Sequence, residues 1–145
     1  MFTTGSRLRT LLILLLMSIL LVSCFDTNSN NTDEAQISDI LYEMQVAYNT
    51  NDFDKFMSFV QNDYFHNNML AWNLRELWLT RKAEYPLITI DNISVSVDDR
   101  LAIATFRMTF ESANQTLVLL APSPAGEISY FRYNGDRWLI FGNHL

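Results

Sequence analysis

The architecture of this protein follows from residues 86–111, which read PLITIDNISVSVDDRLAIATFRMTFE. Apolar residues occupy every second position, a period that predicts β-strands. In the first strand they are Ile88 and Ile90 and then Ile93, Val95 and Val97, so the change from even to odd positions predicts a β-bulge that bends the strand. Residues 98–100 predict a turn into a second strand, which places Phe106 and Met108 on one face.

Three more strands are predicted downstream. One covers Thr116–Leu120, and a longer loop containing two prolines and Gly126 follows it. The last two, at residues 128–133 and 137–141, flank Asn134-Gly135, a dipeptide typical of tight hairpins. About five antiparallel strands therefore end the chain.

Helical spacing comes before the strands. Asp33 and Gln36 resemble a capping box, and the apolar residues that follow recur every three to four positions up to Tyr48. Asp52 is a predicted cap for a second, shorter helix. A third apolar set begins at Met69 and runs to about residue 84. Three helices followed by strands predict an α+β fold in which the helices are segregated from a bent sheet.

This layout resembles the nuclear-transport-factor-2-like (SnoaL-like) superfamily. The matching segments are residues 47–49, 51–54, 62–65 and 131–140. The resemblance covers about residue 34 to 145 and implies a cystatin-like cone, a curved sheet wrapped round the first long helix. It leaves function open, because folds of this kind host enzymes, carriers and adaptor modules.

The resemblance also allows a test of steroid-isomerase chemistry. In that branch a catalytic tyrosine lies eight residues before the Asp of helix two, and a carboxylate base lies sixteen residues after it. Counting from Asp52, these positions are Met44 and Asn68 here. A thioether donates no hydrogen bond and an amide takes no proton at neutral pH, so both residues disfavour isomerase chemistry.

Other polar residues provide an enzymatic alternative of isomerase or hydratase type. Asp63 and His66 lie three apart, and a carboxylate can orient an imidazole that works near pH 7. Tyr48 and Tyr64 are candidate polar helpers. A capping Asp and a surface His explain the same pair without catalysis.

Aromatic and apolar side chains favour binding over catalysis. The candidates for contact with a ligand or partner are Trp72, Trp78, Phe106, Met108, Tyr130 and Trp138. The preferred hypothesis is a non-catalytic domain that binds an apolar small molecule or an envelope protein. A structural subunit that forms a homodimer through its sheet is the remaining alternative.

The first 24 residues resemble a bacterial lipoprotein leader. Arg7 and Arg9 precede the apolar run 11–22, which is too short to cross a bilayer as a helix. Residues 21–24, Leu-Val-Ser-Cys, match a lipobox, which implies that Cys24 is lipidated. The resemblance divides the chain into a signal peptide (1–23), a flexible tether (24–33) and a domain (34–145). It implies the cell envelope, and the periplasmic side of the outer membrane if the host is diderm.

Charge and composition exclude several functions. The formal net charge is −6, and it becomes −8 without the leader because that segment has two arginines and no acid. Such a chain lacks the basic face that nucleic acids require. One cysteine and two distant histidines predict no metal site, and four scattered glycines predict no phosphate loop, so no cofactor is expected.

Overall fold

The computed structural model of the protein describes residues 29–123 and 126–143. The chain divides into two units, residues 1–32 and residues 33–145. The predicted signal peptide, Cys24 and the first part of the tether lie outside the described residues. Within those residues, no helix is both long enough and apolar enough to cross a membrane.

The described elements confirm the α+β class. The helices are α1 (Ser29–Asn49), α2 (Phe53–Met57) and α3 (Ala71–Glu84). A short hairpin, β1 (Phe65–His66) and β2 (Met69–Leu70), precedes α3. The main sheet contains β3 (Leu87–Asp98), β4 (Leu101–Glu111), β5 (Thr116–Ala121), β6 (Tyr130–Tyr133) and β7 (Trp138–Ile140). These are the predicted three helices and five-stranded antiparallel sheet of a cystatin-like fold.

Strand β4 organises the sheet. It pairs with β3 along its length on one side, and on the other side with β5 near its end and β6 near its start. The Ala104 amide donates to the Ser129 carbonyl at 2.8 Å, so the chain leaves β4 after Ala121 and rejoins it at Ser129. Glu127 and Ile128, at the end of the intervening loop, are buried.

The predicted bulge and the predicted hairpin are both confirmed. The register of β3 against β4 shifts between Asp91 and Ser94. In the β6–β7 hairpin Tyr133 pairs with Trp138, and the Asn134 side chain accepts the amides of residues 136 and 137, both at 2.9 Å. That side chain satisfies loop amides that have no strand partner.

Two predicted helix starts are wrong. Helix α1 begins at Ser29, so Asp33 lies inside it and part of the predicted tether is helical. The Asp33 carboxylate accepts the Trp138 indole N–H at 3.0 Å, a tertiary contact that replaces the predicted local cap. Helix α3 begins at Ala71, because the Asn73 side chain accepts the Leu70 amide at 2.9 Å and Met69 pairs in β2.

Helix α1 attaches to the sheet through two side-chain amides. Asn49 accepts the Ile88 amide at 2.9 Å and donates to the Ile88 carbonyl at 3.0 Å. Gln45 accepts the Ile90 amide at 2.5 Å. These bonds satisfy backbone groups at the start of β3, on the edge that faces away from β4, as a neighbouring strand would.

Candidate functional site

The interior of the cone is filled by large side chains. Of the predicted binding residues, Trp78, Phe106, Met108 and Trp138 are all buried. Even-numbered residues of β4 point at the helices, and the rings pack closely there. The Trp78 ring lies 4.8 Å from that of Phe56, measured between centroids. The side chains of these four residues are part of the hydrophobic core.

Both tyrosines of the enzymatic alternative donate to the backbone. The Tyr48 hydroxyl donates to the Tyr85 carbonyl at 2.7 Å, and the Tyr64 hydroxyl donates to the Glu127 carbonyl at 2.9 Å. Burial raises the pKa of Tyr48 to about 12 and raises the pKa of Tyr64 as well. Both phenols are therefore protonated at neutral pH, and their protons are already engaged.

Asp63 and His66 have different surroundings. Asp63 is exposed, with 70% of its side chain accessible, and its carboxylate lies 3.8 Å from the Arg132 guanidinium. His66 is buried at 5% exposure, and its Nε2 lies 3.1 Å from the Asn67 side-chain amide. In these contacts the neighbour of His66 Nε2 is an amide, and the neighbour of the Asp63 carboxylate is a guanidinium.

An apolar groove lies on the face of the sheet that points away from the helices. We call it the sheet groove, and its volume is about 470 Å³. It is lined by Ser96, Asp98, Leu101, Ala102, Ile103, Tyr130, Arg132, Phe141 and Asn143. Odd-numbered residues of β4 point to this face, since the even-numbered ones point at the core.

Two rows of cross-strand neighbours build the floor of the sheet groove. One row is Asp98, Leu101 and Arg132, and the other is Ser96, Ile103 and Tyr130. Phe141 extends the second row, because its amide donates to the Tyr130 carbonyl at 3.1 Å. The two rings meet edge to face with their centroids 6.5 Å apart. The second row is therefore apolar and aromatic over most of its length.

Arg132 lies at one end of the sheet groove. The Arg132 guanidinium carbon lies 4.4 Å from the centre of the Phe141 ring, a cation–π contact. A neighbouring hollow of about 390 Å³ shares Leu101 and Arg132 with the groove and is also lined by Arg100 and Asp63. The groove thus joins an apolar floor to the Arg132 guanidinium.

A larger hollow of about 820 Å³ lies between α2 and α3. Its lining is mixed and includes four charged residues, Asp52, Asp54, Arg75 and Lys82. The Lys82 ammonium donates to the Asn49 carbonyl at 3.3 Å and also to the Pro86 carbonyl, and desolvation lowers the pKa of Lys82. We favour the sheet groove, because ligand sites combine apolar walls with few polar groups.

Two of the predicted binding residues are accessible. Tyr130 lines the sheet groove, while Trp72 is 63% exposed on α3 and lies outside its lining. Sequence reasoning missed Leu101 and Ile103, although both are apolar residues on the outward-facing side of a predicted strand. In the part of the chain that the structure describes, no group of His, Cys, Asp and Glu could hold a metal ion.

Comparison with known proteins defines the fold. No family model and no curated protein matches the sequence. A cystatin-like protein of unknown function from Nostoc punctiforme superposes with a TM-score of 0.58 at 9% identity, covering 77% of this chain and 87% of that one. A nuclear-transport-factor-2-like protein of unknown function from Shewanella oneidensis gives 0.51 at 20% identity, covering 77% and 95%.

A third solved structure is Bd1075 from Bdellovibrio bacteriovorus, with a TM-score of 0.57 at 13% identity. The match covers 72% of this chain but only 38% of that chain. At such identities these likenesses establish a fold and no ligand. The fold of this protein is nuclear-transport-factor-2-like, with the cystatin-like arrangement of helices and bent sheet.

Proposed function

We propose that this protein is a non-catalytic binding domain that takes an apolar ligand in the sheet groove. One observation carries the proposal: aromatic side chains fill the cone, whereas the opposite face of the sheet has an open apolar groove. Its volume lies within the range of about 300–1,000 Å³ that is common for small-molecule sites. Tyr130 and Phe141 provide rigid aromatic walls, which bind apolar groups with little loss of side-chain entropy.

The enzymatic alternative receives less support. Catalysis through Tyr48 or Tyr64 would require each hydroxyl to leave a buried carbonyl. Leaving a buried polar group unpaired costs about 1–3 kcal/mol. The carboxylate of Asp63 lies near a cation rather than a base. A non-catalytic role therefore fits the contacts of all these residues better.

Assembly through the sheet is the second candidate function. Val118 and Leu120 lie on the outward face of β5, and Leu120 is 72% exposed. Exposed aliphatic side chains on a strand favour burial against another protein. Such a surface could serve a homodimer or an envelope partner, and it lies outside the lining of the sheet groove.

The binding role predicts that 1-decanol binds in the sheet groove. Titration into ¹⁵N-labelled protein is expected to shift amide signals of residues 101–103 and 130–132. Replacing Ile103 by Asp should weaken binding about tenfold or more, because it puts a charge on the apolar floor. The control is Leu120→Asp, which also replaces an aliphatic residue by Asp on the same sheet face but outside the groove. Equal affinity of both variants would contradict the proposed site.

We also propose that the protein is a lipoprotein of the cell envelope, held by acyl chains on Cys24. The lipobox-like segment 21–24 supports this proposal. Several acyl chains anchor a protein stably where a single chain does not. In a diderm host, the absence of Asp at position 25, which is Phe, supports an outer-membrane location facing the periplasm.

Cys24→Ser is therefore expected to abolish metabolic labelling with fatty acids and to leave the unprocessed precursor in the inner membrane. Gel mobility and fatty-acid incorporation measure the two effects. Ser23→Ala is the matched control, because it keeps a small residue before the cysteine. Labelling of the Cys24→Ser protein at the normal level would refute the anchor.

A further inference from the structure

We propose that the ligand of the sheet groove is a single-chain amphiphile with a carboxylate head group. Its aliphatic chain would lie along Ile103, Tyr130 and Phe141, and its carboxylate would bind the Arg132 guanidinium. This inference rests on the proposed function and adds the chemical class of the ligand.

The first step concerns how firmly Arg132 is paired with an acid of the protein. The Arg132 side chain is 37% exposed, and Asp63, the acid it pairs with, lies 3.8 Å away. A charge-assisted hydrogen bond from a guanidinium is about 2.7–2.9 Å long. The Asp63 carboxylate is largely solvated, so this ion pair is loose. A guanidinium has five N–H donors in a planar fork that suits a carboxylate.

Another arginine on the same sheet face gives an internal comparison. Arg107 binds Asp91 through two bonds, Nε to Oδ1 at 2.8 Å and Nη2 to Oδ2 at 2.7 Å. This pairing raises the pKa of Arg107 and lowers that of Asp91. Arg107 already has the bidentate carboxylate that Arg132 lacks. Of these two arginines, Arg132 is the one able to take a carboxylate from a ligand.

The second step is the direction of the ligand. Arg132, Leu101 and Asp98 are neighbours across three strands, with Leu101 in the middle. Strands lie about 4.8 Å apart, so Asp98 stands roughly 10 Å from the Arg132 backbone. Asp98 repels an anion on the β3 side of the groove, whereas the adjoining hollow contains both Arg100 and Asp63, whose opposite charges offset each other. Asp98 on β3 and Arg132 on β6 together direct an anionic head group toward β6.

The third step is the apolar floor. The Phe141 ring holds the Arg132 guanidinium on one side and meets the Tyr130 ring on another. The atoms next to the carboxylate of a ligand bound to Arg132 would therefore lie close to aromatic carbon. Water solvates this aromatic surface poorly, so burying an aliphatic chain against it contributes favourable binding free energy. A small hydrophilic anion would lose that gain.

The test compares decanoate with 1-decanol, which has the same chain length and no charge, by NMR titration at pH 7. Decanoate is expected to bind about tenfold more tightly or better, because bonds to a charged group are the stronger ones. Arg132→Gln should remove the difference, and Arg132→Lys should retain part of it. Arg75→Gln, on α3, removes the same charge elsewhere and should keep the full difference.

Equal binding of the two probes by the natural protein, or a difference that survives in Arg132→Gln, would overturn this inference. In that case 1-decanol binding sensitive to Ile103→Asp would still support the proposed function. If neither probe shifts the groove residues, the proposed function fails as well. If a short apolar peptide with a free C-terminal carboxylate binds better than decanoate, the ligand is a protein C-terminus. That result would overturn the assignment of a single-chain amphiphile.

Discussion

Trp78→Ala is expected to lower the free energy of unfolding by about 3–5 kcal/mol, the usual cost of deleting a buried aromatic side chain. Trp78 is fully buried, and its ring packs against those of Tyr48, Phe56 and Phe110 at centroid distances of 5.6, 4.8 and 5.8 Å. Its removal leaves a cavity that helix α3 and the sheet together enclose. Since whole domains are stable by only about 5–15 kcal/mol, urea unfolding should detect this loss easily.

Trp72→Ala is the matched control, because it removes the same side chain from the same helix. Trp72 is mainly exposed, so the expected change lies within about 0.5 kcal/mol. If Trp78→Ala does not fold, Trp78→Phe provides a milder cavity with a smaller loss in the same direction. Within the described residues the Trp78 indole N–H has no hydrogen-bond partner, so the Phe variant loses packing without losing a hydrogen bond. Equal stability of the Trp72 and Trp78 variants would contradict the filled cone.

Gly142→Ala is expected to destabilise the protein by about 2–5 kcal/mol, the sum of a left-handed backbone penalty and an overpacking penalty. Gly142 has φ +75°, and a Cβ there would overlap the Phe65 carbonyl oxygen and approach its carbon to 2.9 Å. The obstacle is backbone and cannot rotate away. The Phe65 amide also donates to the Phe141 carbonyl at 3.1 Å, and the displaced segment would lose that bond.

Gly135→Ala separates the two penalties. Gly135 also has a positive φ, +103°, but an added Cβ would meet only the Arg100 side chain, at 3.9 Å. We expect about 1–2 kcal/mol from the backbone conformation alone. The difference between the variants, read from thermal unfolding, then measures the close approach of Gly142 to β1. A smaller loss for Gly142→Ala than for Gly135→Ala would disprove that approach.

Gly142 also links stability to the proposed site. Its neighbours Phe141 and Asn143 line the sheet groove. Displacing this segment from β1 should move the Phe141 ring, and with it the platform under Arg132. Gly142 therefore permits the close contact between the C-terminal segment and β1, and it also keeps the Phe141 wall of the groove in place.

The fold could be predicted because its signals are local. The alternation of β3 and β4, the phase slip at the bulge and the Asn134-Gly135 hairpin each depend on neighbours in sequence. The start of α1 could not be predicted in the same way. Asp33 has the side chain of a helix cap, yet it binds Trp138, 105 residues later in the chain. A tertiary hydrogen bond of this kind has no local signature.

The predicted site depended on residue type, and tertiary packing decided which residues are accessible. Trp72 and Trp78 are the same residue six positions apart, yet one is exposed and the other buried. Tyr48 and Tyr64 resemble catalytic phenols in sequence, but each donates to a distant carbonyl. Arg107 and Arg132 each lie near an acid, but only Arg107 forms two short bonds to it. Spacing in the sequence does not predict that difference in geometry.

The sequence by itself determined the α+β class, the order of the elements and the acidic character of the domain, because periodicity, turn residues and charge are properties of neighbouring positions. Only the tertiary structure decided that the cone is filled and that the groove lies on the other face of the sheet. The reason is physical: burial depends on the volume left between helices and sheet. That volume is set by side chains that lie far apart in the chain.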